Sequence, residues 1–342
     1  MAKKKSGTRP SERRSRRFQQ QKTQLKWQAL FSFLVMAALV GLMLLLRMRV
    51  PDASTAVVVD DSVDVAAGTM DTPPAIRDPA QTGRSFEIPW FDVGEGDGAL
   101  VSCDGAHMLI DGGPSDASDM IYTVLKDRNI TYLDYMICTH THEDHAGGLA
   151  GALQAADVGK AYAPEMNYAG RSYQGFLNAL QEQDKSITRP VPGESFLLGS
   201  AEVTILAPID MTLAEEIENN GSIMLRIVYG DTAFLFPGDA ESAEELSVLD
   251  TGADIRSTVL KAGHHGSFSS STDVFLDAVS PTYCVISCGE GNPYEHPHEV
   301  VLRRLAKRDI TVYRTDLQGD ITCKSDGETV TFTTERQSAP AP

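Results

Sequence analysis

The side chains best suited to chemistry lie close together in the sequence THTHEDH at positions 139–145. Its three histidines and one aspartate offer imidazole nitrogens and a carboxylate, which are ligands that zinc and similar divalent ions take in proteins. His140 and His142 are two positions apart and can hold one ion, whereas Asp144 and His145 lie on the next bend and can face a second. The spacing therefore predicts a metal site and disfavours a solvated polar loop.

Three more candidate residues follow apolar runs further along the chain. Asp239 ends the run TAFLFPGD, where a carboxylate either bridges two metal ions or caps the next helix, and we predict the bridging role. His264 and His265 close the run STVLKAG. Because neighbouring side chains at a strand end point in different directions, we predict that His265 binds metal and that His264 faces the substrate or orients a ligand.

Other polar residues near these runs are candidates for substrate contact. Lys261 can hold a phosphate group, with an ordinary solvated lysine as the alternative. His296 and His298 precede a predicted helix, either as part of a surface turn or as contacts for the substrate or leaving group, with His298 preferred. The predicted catalytic residues are therefore Asp144, His264, His298 and Lys261.

Three further aspartates and one histidine have no assigned chemistry. Asp92, Asp97 and Asp111 lie beside glycine-rich turns, and this placement fits a structural role as well as a role behind the metal ligands. His107 is interpreted as a buried structural histidine.

The elements that position these residues follow from the hydrophobic pattern. Many apolar runs are continuous, including LDYMICT before the histidine cluster, which predicts strands covered on both sheet faces. Helical stretches alternate with the runs, and this alternation favours an α/β fold with helices outside the sheets. The candidate residues then lie at strand ends, where such folds place active sites. The predicted helices span 119–126, 146–156, 173–183, 243–249, 272–279 and 299–307.

The start of the chain has a different composition. Twelve Lys and Arg against one Glu give the first 49 residues a charge of +11, so the rest of the chain, with a total of −17, carries −28. Residues 27–46 are uncharged and apolar, and ~20 such residues span a bilayer as a helix, with a cleaved signal peptide as the alternative. The basic excess before them predicts a cytoplasmic N-terminus and an exported catalytic part.

The predicted organisation is therefore a single-pass protein of the cell membrane. It has a basic cytoplasmic segment at 1–26, a transmembrane helix at 27–46, a disordered acidic linker at 47–84, a catalytic domain at 85–335 and a disordered tail at 336–342. The five cysteines are scattered without a CxxC pair, which excludes a zinc ribbon and a disulfide framework.

Seven motifs in the same order resemble those of the metallo-β-lactamase superfamily, in particular the metallo-β-lactamase-like domain of the ComEC competence proteins. The motifs are FDVGEGD (91–97), LIDGG (109–113), NNGS (219–222), FPGDA (236–240), KAGHHGS (261–267), NPYEHPH (292–298) and YRTD (313–316). The resemblance implies an αββα four-layer sandwich over residues 85–335. It also implies that the site binds two divalent metal ions, zinc or alternatively manganese. These ions would activate water to hydrolyse a phosphodiester, and DNA is the first substrate that the resemblance implies.

The chain also departs from the pattern of this branch. Glu95 replaces the usual Gln of the opening motif and adds a negative charge near the site. No histidine lies between His145 and His264, so the third histidine motif of the β-lactamases is absent, as in the ComEC-like branch. The polytopic channel of the competence proteins is also missing, and DNA transport therefore does not follow from the resemblance.

The nature of the substrate stays open at this point. A charge of −28 disfavours tight non-specific binding to DNA, because Lys and Arg contacts to phosphate supply that affinity. A basic helix at 303–308 can offer a local patch, although a solvated helix face is the simpler interpretation. The alternatives are a hydrolase of cell-envelope phosphodiesters or nucleotides, a hydrolase of lactone or β-lactam rings, and a non-catalytic surface module that binds metal.

Overall fold

The computed structural model describes residues 85–164 and 170–337. The predicted basic segment at 1–26, transmembrane helix at 27–46 and acidic linker at 47–84 lie outside the described residues, as does the end of the tail at 336–342. Within the described ranges, none of the helices combines the length and the apolar character needed to cross a membrane.

Strands of the described residues assemble into two sheets. They are β1 (Phe86–Trp90), β2 (Gly98–Cys103), β3 (Ala106–Gly112), β4 (Tyr132–Ile137), β5 (Asp157–Tyr162), β6 (Ile187–Thr188), β7 (Ser195–Leu198), β8 (Ala201–Ala207), β9 (Met224–Tyr229), β10 (Thr232–Phe236), β11 (Val259–Lys261), β12 (Tyr283–Ile286), β13 (Thr311–Arg314), β14 (Ile321–Ser325) and β15 (Val330–Thr334). One sheet has the order β15-β14-β1-β2-β3-β4-β5-β6 and the other β13-β12-β11-β10-β9-β8-β7. The strands β3, β4 and β5 run parallel, as do β10 to β13, so each group ends at one edge of its sheet.

The longer α-helices cover the outer faces of the two sheets, and the helices of four or five residues lie in loops between strands. The α-helices are α1 (Ser118–Asp127), α2 (Glu143–Ala146), α3 (Leu149–Ala155), α4 (Arg171–Glu182), α5 (Thr212–Glu216), α6 (Ser242–Asp250), α7 (Asp273–Val279), α8 (Glu299–Ala306) and α9 (Thr315–Gln318). One apolar core lies between the sheets, where the rings of Trp90 and Phe236 stack with centroids 5.6 Å apart. A second core lies under α1, α3 and α4, and a third under α6, α7 and α8. This αββα arrangement confirms the predicted fold class.

The predicted helices are confirmed to within three residues at each end. Each has an apolar face that the structure buries against a sheet, which explains why periodicity located them. The four-residue helix α2 lies inside the predicted metal-binding segment, and its sequence EDHA is too short and polar to show a helical period.

Two glycines let the metal-binding segment lie directly on the end of β3. A Cβ atom on Gly148 would overlap the backbone oxygen of Gly112, and a Cβ on Gly112 would lie 2.6 Å from the backbone nitrogen of Leu149. Only glycine permits backbones to approach this closely. The contact brings His145, on the preceding helix α2, next to Asp111 at the end of β3.

A buried carboxylate on α6 makes stability depend on pH. Glu244 is fully buried; its Oε1 accepts the backbone N–H of Ile209 at 2.6 Å, whereas its Oε2 has no hydrogen-bond partner among the described residues. Burial raises the pKa of Glu244 from 4.5 to about 7. The native state therefore favours the neutral acid more than the unfolded state does.

We expect the contribution of Glu244 to stability to be complete below pH 4.5 and to be lost as the pH rises through about 7. The variant Glu244→Gln stays neutral and should lack this pH-dependent loss of stability, which amounts to about 3 kcal/mol. Urea unfolding of both proteins across this pH range measures it, since all other titrating groups are shared. Parallel pH profiles of the two proteins would contradict the assignment.

Candidate metal centre

The predicted ligands come from loops at one end of both sheets. The loop after β4, together with α2, carries His140, His142 and His145. Asp239 follows β10 in the second sheet, and His265 follows β11. Because these parallel strands end on the same side, the loops meet above the edge of the sandwich, as the sequence predicted for an α/β fold.

Four donor atoms converge between these loops: Nε2 of His145, Nε2 of His265, Oδ2 of Asp144 and Oδ2 of Asp239. The two Nε2 atoms are 3.2 Å apart, and each lies 3.3 Å from Asp239 Oδ2. Asp144 Oδ2 is 3.3 Å from Nε2 of His265 and 3.6 Å from Nε2 of His145. Ligand atoms ~2.0–2.2 Å from a tetrahedral zinc ion lie ~3.3–3.6 Å from one another. Five of the six pairs among these atoms thus have the spacing of ligands around one zinc ion.

The outer nitrogens of the two rings show which nitrogen faces the centre. Nδ1 of His145 donates to Asp111 Oδ2 at 2.9 Å, and Nδ1 of His265 donates to the backbone oxygen of Ser287 at 3.1 Å. Asp111 in turn accepts the backbone N–H and the hydroxyl of Thr139, both at 2.7 Å. With the hydrogen held on Nδ1, each ring turns the lone pair of Nε2 toward the centre, which is the usual arrangement of histidine ligands.

Asp97 lies behind this set of donors. An alternative group of atoms within 4.8 Å of one another comes from Asp97, His145, Asp239 and His265. Asp97 reaches the two histidines only at their Nδ1 atoms, at 3.9 and 3.4 Å, where other acceptors are already bound. It also contacts the buried ammonium of Lys261. Asp144 therefore fits the ligand set better than Asp97 does.

His140 and His142 form a second group of donors beside the same carboxylate. Nε2 of His140 is 3.1 Å from Nδ1 of His142 and 3.8 Å from Oδ2 of Asp239. The outer nitrogen of His142, Nε2, contacts Glu218 at 2.9 Å, which leaves Nδ1 facing His140. Asp239 Oδ2 thus lies near both groups of nitrogen atoms, and a carboxylate that bridges two ions requires this position.

A sharp turn after β11 separates the two adjacent histidines. His264 and His265 both have left-handed backbone angles, with φ of 49° and 53°. Gly266 follows with a φ of 82°, and a Cβ there would lie 2.6 Å from the Cβ of Pro297. The turn buries His265, whereas the side chain of His264 is 22% exposed, with Nε2 3.8 Å from Asp239 Oδ2. His264 therefore lies on the open side of the centre.

The electrostatics of the centre favour bound positive charge. Burial alone would lower the pKa of His145 and His265, but Asp239 and the neighbouring carboxylates raise the pKa of both rings well above the usual value. Burial also opposes ionisation of Asp97, yet the Lys261 ammonium lowers its pKa to about 2. The lowered pKa values of Asp97, Asp144 and Asp239 keep these carboxylates charged, and they draw protons onto the rings when no other cation is bound.

The donors fit divalent metal ions on two independent grounds. Asp239 is 2% exposed, and its Oδ1 has no hydrogen-bond partner among the described residues, although a buried carboxylate oxygen normally has one. Imidazole nitrogens and carboxylate oxygens are also the ligand types that zinc and manganese share. A cation beside Asp239 would satisfy this oxygen and replace the ring protons.

The structure brings all six predicted ligands into one cluster, although their ligand roles stay predictions. They are His140, His142, Asp144, His145, Asp239 and His265. Lys261 lies elsewhere than we expected, because its side chain is 2% exposed and its ammonium contacts Asp97 behind the cluster. It cannot reach a phosphate on the open side from there. We therefore replace the predicted phosphate contact with a charge-balancing role.

The positions of His296 and His298 also differ from the expectation that His298 is the preferred substrate contact. Nδ1 of His298 accepts the backbone N–H of Phe268 at 3.1 Å, and its ring packs against Phe268 and His296. The ring of His296 is the one that lies beside His264 and His265, with centroids 5.5 and 5.9 Å apart. The geometry thus favours His296 for substrate contact, while the role predicted for His298 stays a prediction.

Sequence reasoning missed one acidic residue at the centre altogether and underrated another. Glu218 contacts His142. The only feature of the sequence that pointed to Glu218 was its position directly before the NNGS motif. Asp97 was left undecided between a structural role and a role behind the ligands, and its contacts with Lys261 and the two histidines favour the second.

Comparison with known proteins agrees with this geometry. The family model for the metallo-beta-lactamase superfamily matches residues 94–290. ComE operon protein 3 of Bacillus subtilis is 28% identical over 264 residues, which cover 72% of this chain and 34% of that protein. Competence protein ComA of Neisseria gonorrhoeae is 33% identical over 232 residues, which cover 67% of this chain and 31% of that protein. The chain thus spans about a third of the length of these relatives.

Among solved structures, the chain is similar to CmlA, a diiron beta-hydroxylase from Streptomyces venezuelae. The two are 15% identical with a TM-score of 0.48, over 70% of this chain and 54% of CmlA.

Proposed function

The chain belongs to the metallo-beta-lactamase superfamily, and on this premise we propose that it is a metal-dependent hydrolase that cleaves phosphodiester bonds. The observation that carries the proposal is the spacing of the four donor atoms of His145, His265, Asp144 and Asp239, between 3.2 and 3.6 Å for the five measured pairs. A second pair of nitrogens, on His140 and His142, lies beside the same Asp239.

The open side of the centre favours catalysis over a structural metal site. Four protein donors can close a structural zinc site, whereas a catalytic site must admit water or substrate, so the exposure of the donors rather than their number decides between the two. Here the side chains of Asp144, His142 and His264 are 31%, 39% and 22% exposed. The remaining ligands are buried. A substrate can therefore reach the donors from one side only.

Different residues of the site have different roles in the proposed hydrolysis. Bound divalent ions would activate water and offset the charge that develops on the phosphate oxygens. Asp111 holds the buried ring of His145. Lys261 balances negative charge behind the ligands through its contact with Asp97. Asp144, on the open side, can accept a hydrogen bond from the attacking water. His264 can contact the phosphate there, because its side chain is partly exposed and its Nε2 is 3.8 Å from Asp239 Oδ2.

DNA is the substrate that we propose first. The similarity to two competence proteins supports a DNA-related substrate. The acidic charge of the catalytic part does not help binding. The basic segment at 303–308, which begins in helix α8 and continues beyond it, offers little, because its arginines have partners within the protein. Arg303 pairs with Glu299, and Arg308 pairs with Asp273 and Asp277. Arg304 donates to the backbone oxygens of Phe268, Ser270 and Ser271. Affinity must therefore come mainly from the metal centre and its rim.

We also propose that residues 27–46 anchor the protein in the cell membrane with the catalytic part outside the cytoplasm. The charge asymmetry supports the proposal, with +9 on residues 1–26 before this apolar run and −26 on residues 47–342 after it, since positive charge is retained on the cytoplasmic side.

The proposed activity can be tested with the full-length protein, bis(p-nitrophenyl) phosphate and single-stranded DNA. We expect a chelator to abolish hydrolysis of both and zinc or manganese to restore it, because the donors cannot activate water alone. If the protein binds metal at the predicted site yet cleaves no phosphodiester, it is a binding module or a hydrolase of another bond. A lactone and a β-lactam tested in parallel distinguish these two outcomes.

A further inference from the structure

Glu95 and His296 form a buried pair beside the metal centre. Oε1 of Glu95 is 2.7 Å from Nδ1 of His296, and Oε2 accepts the backbone N–H of Gly289 at 2.8 Å. The side chains of Glu95 and His296 are 15% and 6% exposed. Asn292 fixes the backbone of His296, because its Oδ1 accepts the N–H and its Nδ2 donates to the carbonyl. The ring is therefore held in one place.

The ring of His296 lies beside the metal centre, among other rings. It lies next to the rings of His264 and His265, and Tyr294 stacks beside it with centroids 5.6 Å apart. Within the described residues, Nε2 of His296 has no hydrogen-bond partner. A nearly buried imidazole thus has one nitrogen bound to a carboxylate and the other available to a molecule at the metal centre.

The partner of Nδ1 determines what Nε2 can do. A carboxylate only accepts hydrogen bonds, and Gly289 already donates to one oxygen of Glu95. The other oxygen therefore requires a hydrogen on Nδ1 of His296. In the neutral ring this places the lone pair on Nε2, which can then accept a hydrogen bond from an O–H group.

We propose that His296 contacts the substrate through Nε2, which accepts a hydrogen bond from a hydroxyl at the rim of the metal centre, and that Glu95 is the positioning residue that fixes this tautomer. The hydroxyl belongs either to the attacking water or to a sugar at the end of the substrate, because the sugars within a DNA strand have no free hydroxyl. The proposal rests on the proposed hydrolase function and assigns this site a recognition element for O–H groups.

The variant Glu95→Gln tests the tautomer directly. The Gln oxygen can accept the N–H of Gly289 while its amide group donates to Nδ1 of His296, which moves the ring hydrogen to Nε2. Nitrogen-15 spectra of the histidine rings in the full-length protein should show this exchange, with the His296 signals assigned by their loss in His296→Gln. Identical His296 signals in the wild-type protein and in Glu95→Gln would overturn the proposal, whether or not the protein is a hydrolase.

Kinetic measurements test the role in substrate contact. We expect Glu95→Gln to lower kcat by about 10–100-fold, the usual effect of losing a partner of this kind, with unchanged metal content. His296→Gln should lose at least as much, and the double variant should lose no more than His296→Gln alone, because Glu95 acts through His296. Independent, additive losses, or a fully active His296→Gln, would refute the proposal.

Two substrates identify the source of the hydroxyl. Bis(p-nitrophenyl) phosphate has no sugar, whereas the p-nitrophenyl ester of thymidine 5′-phosphate has a 3′-hydroxyl. Equal losses on both substrates assign Nε2 to the attacking water, and a loss confined to the nucleotide assigns it to the sugar. If the wild-type protein hydrolyses neither, the proposed function fails while the spectra still decide the tautomer.

Discussion

Replacing Asp239 by Ala should remove bound metal and hydrolysis together. Its Oδ2 lies 3.3 Å from Nε2 of both His145 and His265 and 3.8 Å from Nε2 of His140, so it is the only carboxylate near both groups of nitrogen donors among the described residues. Metal ions contribute several kcal/mol of charge stabilisation to such reactions, and ~4 kcal/mol corresponds to a rate loss of about 1,000-fold. Elemental analysis and hydrolysis of bis(p-nitrophenyl) phosphate measure both effects.

Two further variants serve as a second test of the centre and as a control. Asp144→Ala should also lose metal and activity, because it removes the exposed member of the four-donor set. Glu202→Ala removes an exposed carboxylate on β8 and should behave as the wild-type protein. Circular dichroism of each variant shows whether the fold is retained. Full metal content and an unchanged rate in both aspartate variants would mean that the centre lies elsewhere.

The sequence could predict the metal-binding segment because its ligands are local. The histidines and the aspartate of positions 139–145 are adjacent in the chain, so their types and spacing carry the information. Asp239 and His265 are distant in sequence, but each follows an apolar run that predicts a strand, and parallel strands end together. The motifs that resemble the metallo-β-lactamase superfamily occur in the same order as in that family, and the prediction of the αββα fold followed from this resemblance.

The contacts behind the ligands could not be predicted in this way. Lys261 ends β11 in a motif next to two histidines, which suggests an exposed cation, yet the structure buries it against Asp97. Glu218 and His142 are 76 positions apart, and no periodicity connects them. These pairs depend on how loops from the two sheets meet. The sequence around a charged loop residue does not indicate which residue it will contact in the folded protein.

The hydrophobic pattern also failed to predict some strands. The sequence of β5, DVGKAY, contains a glycine and a lysine and does not have the appearance of a buried strand. The structure explains both residues. A Cβ on Gly159 would lie 2.6 Å from the hydroxyl of Tyr132, and the ammonium of Lys160 lies over the ring of Tyr162 and pairs with Glu194. Tertiary contacts here override the local preference of the chain.

The two adjacent histidines should separate metal binding from turnover. His265 is buried, with Nε2 within 3.3 Å of both Asp144 Oδ2 and Asp239 Oδ2, and its outer nitrogen is held by Ser287. His264 lies on the open side, and its Nε2 is 3.8 Å from Asp239 Oδ2. His265→Ala should therefore lose the ion of the four-donor set and about 1,000-fold in rate, since the chemistry depends on that ion.

His264→Ala is the matched control, because it removes the same side chain one position earlier from the same turn. We expect it to keep the ion of the four-donor set and to lose about 10–100-fold in kcat, the effect typical of a group that contacts the substrate or orients a ligand. Metal per chain and turnover, measured on both variants at equal fold content, decide between the two roles. If His264→Ala loses an ion as well, His264 completes the second group of donors with His140 and His142. If both variants keep all bound metal, neither histidine is a ligand, and the four-donor set is wrong.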